Sequence, residues 1–472
     1  MIYLYPRFCS KLLFLLAALL VTVLLPEASR AQTVPFIHGA DISYIEELEA
    51  NGAVFKEAGI ADDLFAILAR NGINTIRLRI WHTPAQGWYD LESTIAAAKR
   101  TKAAGMDLLL DFHYSDTWAD PGRQTKPAAW QGIPFEILRD SLYAYTYDVM
   151  DALKAEDVMP RYVQVGNETS QGMLWDEGRV GGSFNSAAQW SKLRTLFSDA
   201  IRAIRDVAAA EDVEIILHTD RGGDVGGATW FFDNITSSGT VDFDMIGLSY
   251  YPWWHGSLEA MEQTVNTVAA KYKKPVFIAE TAYPWTLQWY DNTNNLVGLP
   301  EHLLPGYETL PDAQYTFLRD VLEVVRNIPE GRGAGISYWA PEFMAVPGVG
   351  SVWENVALFD NNGELLPAIN AFAEQMPTSL EENNSDIAGA FDVFPNPARQ
   401  AFEIRYQQEN AGNVRIVLYD TLGREVQRIV DQQWLASGRH QFETAVTGLA
   451  AGTYLCVVYG PEGRMLRRII LW

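Results

Sequence analysis

One recurring pattern constrains the fold of this chain more than any other. Short apolar, β-branched runs return eight times between residues 32 and 377: Ile37–Tyr44, Thr75–Trp81, Asp107–Tyr114, Arg161–Glu168, Val213–Asp220, Met245–Tyr251, Pro275–Thr281 and Gly335–Ala340. Each gives way to a polar or aromatic cluster and then to a helical pattern. Asp62–Arg70 places Leu64, Phe65 and Leu68 on one face, and Ala187–Val207 does the same with Trp190, Leu193, Phe197, Ile201 and Ile204. Near-continuous apolar strands alternating with helices predict a parallel sheet covered by helices. Eight such units predict an α/β fold, a (β/α)8 TIM barrel with loop insertions. An open doubly wound sheet would carry a Gly-rich phosphate turn after an early strand, and none is present.

The flanking segments read differently. Arg7 and Lys11 precede the apolar run Leu12–Leu25, and Ser29-Arg30-Ala31 supplies small residues at a cleavage site. This predicts a secretory signal peptide over 1–31, and the run is too short for a comfortable membrane span. Residues 378–389 are polar and read as a linker. Beyond it, Phe402–Tyr406, Val414–Tyr419, Glu425–Val430, Gln441–Val446, Thr453–Tyr459 and Arg467–Trp472 alternate with turns, predicting a small all-β sandwich over 390–472. Past the predicted leader only Cys456 remains, so no intrachain disulfide or thiolate metal site is expected. The net charge of −23 disfavours nucleic acid as a partner and suits neutral substrates.

The chemistry is expected where barrel strands end, because that face holds the catalytic groups of such folds. The fourth and seventh runs end in Glu168 and Glu280, on strands that face each other across the mouth. Two approaching carboxylates suit glycosidic cleavage, one delivering a proton and the other attacking the anomeric carbon. Arg79 is expected to hold the nucleophile ionised, Tyr250 or Tyr251 to donate a second hydrogen bond, and Asn167 to bind a sugar hydroxyl. His113 and His218 read equally as hydrogen-bonded rim residues or as sugar contacts. Thirteen of the fifteen Trp lie in 32–377, several directly after strands, including Trp118 and Trp339, and Trp339 is the expected sugar platform.

Several stretches resemble glycoside hydrolase family 53: Gly39-Ala-Asp-Ile-Ser43, Arg77-Leu-Arg-Ile-Trp81, Asp111 through Gly122, Gly166-Asn-Glu168, Gly247-Leu-Ser-Tyr-Tyr-Pro252 and Glu280-Thr-Ala-Tyr283. The resemblance implies a retaining endo-β-1,4-galactanase acting on the galactan side chains of pectin (arabinogalactan type I). It implies Glu168 as acid/base and Glu280 as nucleophile, and supports Asp41, Arg79, His113, Asp116, Asn167 and Trp339 as site residues. No cofactor is required. Some bacterial members hold calcium between the loops after strands seven and eight, which would here fall to Asp291, Asn295, Ser351 and Glu354. Val393-Phe-Pro-Asn-Pro397, Leu418-Tyr-Asp-Thr-Leu-Gly423 and Leu449-Ala-Ala-Gly-Thr-Tyr454 resemble the C-terminal sorting domain of the type IX secretion system. That implies the secretion machinery as a partner and a secreted or surface-attached enzyme, expected to be a monomer. The competing readings are a carbohydrate-binding module for the tail, and for the barrel another retaining glycanase (mannanase or arabinofuranosidase type) or a noncatalytic surface glycan-binding protein.

Overall fold

The computed structural model describes residues 35–373 and 391–471, apart from 210, 240, 309, 421–424, 447, 451 and 462. The expected signal peptide and linker lie outside the described residues. Eight parallel strands close into a barrel: β1 (Ile37–Asp41), β2 (Thr75–Ile80), β3 (Asp107–Phe112), β4 (Tyr162–Val165), β5 (Glu214–Thr219), β6 (Met245–Ser249), β7 (Val276–Thr281) and β8 (Gly333–Trp339). Each strand pairs with its sequence neighbours, and β1 pairs with β8 from Ile37↔Gly335 to Asp41↔Trp339. All eight coincide with the apolar runs of the sequence.

Among the described residues the helices over the barrel include α1 (Leu64–Arg70), α2 (Leu91–Ala103), α3 (Phe135–Ala155), α4 (Ala187–Ala208), α5 (Val225–Thr236), α6 (Leu258–Tyr272), α7 (Asp312–Arg326) and the short α8 (Asn370–Ala373), with shorter helical turns at Ile45–Ala50 and Pro252–His255. Five begin at a side-chain cap. Asp63, Asp90, Ser186, Asp224 and Ser257 accept from the backbone N–H of Ala66, Ser93, Gln189, Gly227 and Ala260. These caps satisfy N–H groups that a helix start leaves unpaired. They also fix where each loop at the mouth hands over to its helix.

The barrel interior is layered. Its floor is apolar, packed from Ile37, Leu109, Tyr162, Ile216, Met245, Phe277, Ala279 and Ala334. Nearer their C-terminal ends the barrel strands present Asp41, Arg77, Asp111, Gln164, His218, Ser249 and Glu280, all buried. The apolar layer excludes water beneath the polar one, so every charge above it must be paired inside the protein. The register between β6 and β7 shifts at Leu248/Ser249, and that between β7 and β8 shifts between Ile278 and Thr281. Such irregularities re-aim side chains, here at Glu280.

The C-terminal region forms two antiparallel sheets. One has the order β9 (Phe391–Phe394), β10 (Ala401–Gln408), β13 (Gly438–Ala445); the other has β12 (Glu425–Leu435), β11 (Gly412–Asp420), β14 (Gly452–Gly460), β15 (Gly463–Leu471). Its core includes Phe402, Ile404, Ile416, Leu418 and Val458, and Cys456 is buried among them as a free thiol. The sandwich was expected; strand β9, preceding the Pro395–Pro397 turn, was not. Among the described residues no helix is long and apolar enough to cross a membrane.

Candidate active site

Arg77 organises the mouth of the barrel. Its guanidinium, fully buried, meets Asp41 Oδ2 at 2.6 Å through Nη1, and through Nη2 meets Asp111 Oδ2 at 2.9 Å, Glu280 Oε1 at 3.0 Å and Asn167 Oδ1 at 2.9 Å. Gln164 accepts from the same group through Oε1 at 3.1 Å, and its Nε2 donates to Asp111 Oδ1 at 2.6 Å. Burial alone would discharge this arginine, but Asp111, Glu280 and Asp41 outweigh it and keep it protonated. Burial raises the Asp111 carboxyl, yet Arg77 and then His113 hold it below the usual carboxylate range.

The sequence expectation gave this role to Arg79. Both arginines sit two apart on β2 and face inward, but Arg77 reaches Glu280, whereas Arg79 lies one layer higher. The Arg79 guanidinium is enclosed by the rings of Tyr89, Tyr44 and Trp118 at 4.0, 4.2 and 4.3 Å. It acts there as a cation clamped by aromatic faces, supporting Tyr44 and Trp118 from behind.

Glu280, at the end of β7, is oriented by two donors. Arg77 holds Oε1, and the Tyr251 hydroxyl donates to Oε2 at 3.0 Å. Burial pushes its carboxyl up to about 7, while Arg77 and the Tyr251 hydrogen bond pull in the other direction. Tyr251 itself stays protonated, its hydroxyl raised by burial and then by Glu280 and Glu168. Tyr250 does not take this part. Its hydroxyl donates to Gly256 O at 2.8 Å, and its ring stacks on Phe317 at 6.2 Å in the barrel shell.

Glu168 follows β4 in a left-handed conformation, φ 45°, reached through Gly166 at φ 81°. A Cβ on Gly166 would stand 2.7 Å from Thr169 Cγ2, so glycine is needed both for the angle and for the space. A non-glycine residue held in this region stores strain that the surroundings must over-determine. Here they do: Ser249 Oγ donates to Glu168 Oε1 at 2.6 Å, and the Glu168 backbone N–H points at His218 Nδ1 at 3.3 Å. Burial, then the charges of Glu280 and Asp220, hold the Glu168 carboxyl well above the usual range, against the Ser249 hydrogen bond. The two glutamates thus face one electrostatic problem and answer it differently. Glu280 has a cation at contact distance that favours its charged form, whereas Glu168 has only a serine hydroxyl against its burial.

The remaining expected residues divide. Asn167 accepts from Arg77 and donates to Ala119 O at 2.9 Å, placing it at the centre of the site. Asp41 belongs to the Arg77 cluster and accepts from Ser43 Oγ at 2.6 Å. His218 lies beside both Asn167 and Ser249. His113 stands behind the cleft: its Nε2 meets Asp111 at 3.0 Å, and its Nδ1 accepts from Trp81 Nε1 and the Ala119 N–H, each at 3.2 Å. Asp116 is a loop clamp, accepting from the N–H of Thr83 at 3.0 Å and of Ala128 at 2.7 Å; it does not join the carboxylate cluster. Above the glutamates, Trp118, Trp339, Trp353 and Tyr251 form a chain of aromatic contacts at 4.7–6.1 Å. Arg77, Asp111, Gln164 and Ser249 were not singled out from the sequence, although each stands at or near a strand end.

Residues 37–372 match the sequence profile of glycosyl hydrolase family 53. The chain belongs to that family. Family 53 relatives include an arabinogalactan endo-β-1,4-galactanase of Cellvibrio japonicus, 35% identical over 363 residues, covering 74% of this chain and 94% of the relative. Another, from Thermothelomyces thermophilus, is 34% identical and covers 71% of this chain and 98% of the relative. Among solved structures, the family 53 catalytic domain of Ignisphaera aggregans superposes with a TM-score of 0.67 at 34% identity, covering 73% of this chain and 97% of that one. The protein is therefore a glycoside hydrolase. Residues 392–471 match a secretion system C-terminal sorting domain, which marks this family 53 enzyme for export and surface attachment.

The residues expected to bind calcium do converge. Asp291 Oδ2 accepts from the Ser351 N–H at 2.9 Å, and Glu354 Oε1 accepts from the Tyr290 N–H at 2.6 Å and Asn295 Nδ2 at 3.5 Å. Glu354 Oε2 and Asn295 Oδ1 are buried without a hydrogen-bond partner. A buried carboxylate oxygen beside a buried amide oxygen suits a hard cation that takes oxygen ligands. The Ser351 hydroxyl is turned away, donating to Phe343 O at 2.6 Å. Among the described residues no three His, Cys, Asp or Glu side chains converge as metal ligands, so calcium here would draw on amide and backbone oxygens.

Proposed function

We propose that this enzyme hydrolyses β-1,4-galactan by a retaining double displacement, with Glu280 as nucleophile and Glu168 as acid/base. The observation that carries the roles is the unequal treatment of the two glutamates. Arg77 at 3.0 Å and the Tyr251 hydroxyl at 3.0 Å stabilise a charge on Glu280, whereas burial and the charge on Glu280 keep Glu168 protonated. In the first step Glu280 attacks the anomeric carbon while Glu168 gives its proton to the departing oxygen. In the second, the Glu168 carboxylate takes a proton from water, which releases the sugar from Glu280. Asn167 has a second amide N–H to offer a hydroxyl of the bound sugar. The substrate assignment rests on the names of the relatives, endo-β-1,4-galactanases covered almost end to end. It is tested by reducing-sugar release from linear β-1,4-galactan, with β-mannan and arabinan alongside. Release from galactan alone is expected; activity confined to another glycan would overturn the substrate, and silence on all three would favour a binding protein.

Activity requires Glu280 charged and Glu168 protonated. It should therefore fall as pH drops through the Glu280 value and again as pH rises through that of Glu168. Because burial lifts Glu280 to about 7, the acid limb of kcat/KM is expected well above the ordinary carboxylate range, near 4.3. A limb at that ordinary value would contradict the buried setting.

Trp339 packs edge-on against Trp353 at 4.7 Å and stays partly exposed. Trp339→Ala should raise KM on galactan about 5- to 30-fold, the scale of one lost stacking contact of ~1–2 kcal/mol, with kcat less affected. An unchanged kcat/KM would make the ring a packing residue.

We further propose that calcium, held by Glu354, Asn295 and Asp291, pins the loops after β7 and β8 together. Its contribution is structural. Chelator should lower Tm and added calcium restore it, and calcium titrated into chelated protein should bind at one equivalent. An unchanged Tm with no binding heat would remove the site.

A further inference from the structure

Ser249 and His218 are both fully buried, on neighbouring strands β6 and β5. Four polar contacts join them to Glu168, to each other and to Asn167. Ser249 Oγ lies 2.6 Å from Glu168 Oε1 and 2.9 Å from His218 Nε2; His218 Nδ1 lies 3.3 Å from the Glu168 backbone N and 3.0 Å from Asn167 Oδ1. A neutral imidazole has one N–H and one acceptor, and a hydroxyl has one hydrogen. The direction of every hydrogen bond in the chain therefore follows from a single fact, which His218 nitrogen carries the proton.

Two observations select Nε2. The Glu168 N–H is a donor that points at Nδ1 and needs an acceptor there. Asn167 Oδ1, the other neighbour of Nδ1, already accepts from Arg77 Nη2 at 2.9 Å and Gln164 Nε2 at 3.0 Å, which fills its two lone pairs. With the proton on Nε2, the imidazole donates to Ser249 Oγ. The serine hydrogen then has one place to go, Glu168 Oε1. We propose that His218, held as its Nε2–H tautomer, locks Ser249 as a permanent donor to Glu168 Oε1, so that the catalytic proton is confined to Oε2.

This inference rests on Glu168 being the acid/base. The lock would have two consequences. In the first step Oε1 is occupied by a donor, so the acid proton cannot turn inward to Ser249 and stays on the uncovered oxygen. In the second step the same hydrogen bond stabilises the carboxylate that must act as base. Ser249 and His218 are positioning residues, since they act on the sugar only through Glu168. The charges facing Glu168 are Glu280, Asp220 and Arg77, with the Tyr251 hydroxyl; those facing His218 are Arg77, Asp111 and His113. Burial, followed by Arg77, keeps the imidazole neutral, so it orients without exchanging charge.

The test has two arms on the full chain. The first is 15N NMR of histidine-labelled protein, with the His218 signals assigned from their loss in His218→Gln. An Nε2-protonated, Nδ1-unprotonated ring across the active pH range is expected; an Nδ1-protonated ring overturns the proposal. The second arm compares pH profiles on galactan. Ser249→Ala removes a hydrogen bond to an ionised group, so the alkaline limb of kcat/KM should rise by about one pH unit or more. Ser249→Thr, which keeps the hydroxyl, should return it. A Ser249→Ala limb superimposed on that of the parent also overturns the proposal. The failure of the acid/base assignment itself would look different: Glu168→Ala would remain active, whatever tautomer His218 adopts.

Discussion

Glu280→Ala is expected to lower kcat on galactan on the order of 10⁴-fold or more, the scale seen when a covalent nucleophile is removed, with the far-UV spectrum and cooperative melting preserved. The fold should survive because the carboxyl's partners are Arg77 and the Tyr251 hydroxyl alone, and Asp41 and Asp111 still neutralise the guanidinium at 2.6 and 2.9 Å. The vacancy should admit a small anion on the nucleophile's side of the sugar. Azide added with an activated aryl galactobioside should then give the α-galactosyl azide, the product of a single inverting displacement at a site built for two. Near-parental turnover in Glu280→Ala would refute the assignment of nucleophile.

Arg77→Ala is expected to be the most damaging single change to stability. It leaves Asp41, Asp111 and Glu280 facing one another in a water-excluded layer above an apolar floor. Removing one member of a buried ion cluster strands the others, at about 3–5 kcal/mol. In a barrel of this size that is roughly 4–7 °C in Tm, read by calorimetry. Activity should fall with it, since Glu280 would lose the cation that keeps it charged. Arg77→Lys restores the charge but not the fork that reaches five partners at once, so it should recover part of the stability and little of the turnover. A Tm loss in Arg77→Ala no larger than that of a surface arginine would contradict the arrangement.

The barrel was legible in the sequence because a buried parallel strand reads as an unbroken apolar run. The glutamates were legible because they end such runs. What the sequence hid was depth and register. Arg77 and Arg79 share an inward face of β2, and the two-residue rise of about 7 Å decides which meets Glu280; periodicity shows the face but not the layer. Tyr250 and Tyr251 are adjacent, and alternation would ordinarily separate them, but the register shift at Leu248/Ser249 breaks the count just before them. Asp116 was placed in the site by the family resemblance, while the loop after β3 turns its carboxylate onto the backbone of Thr83 and Ala128. Ser249 carried no signal of its own; a serine at a strand end becomes notable only once Glu168 is seen 2.6 Å away.

The central claim is that Glu168 and Glu280 act in sequence on one sugar, through a glycosyl–enzyme intermediate. The stereochemistry of the first product tests it most directly. Proton NMR of galactan hydrolysis, recorded before mutarotation, should show the new reducing end appearing first as the β-anomer and only later equilibrating with α. Initial appearance of the α-anomer would mean a single displacement by water, and would contradict Glu280 as nucleophile.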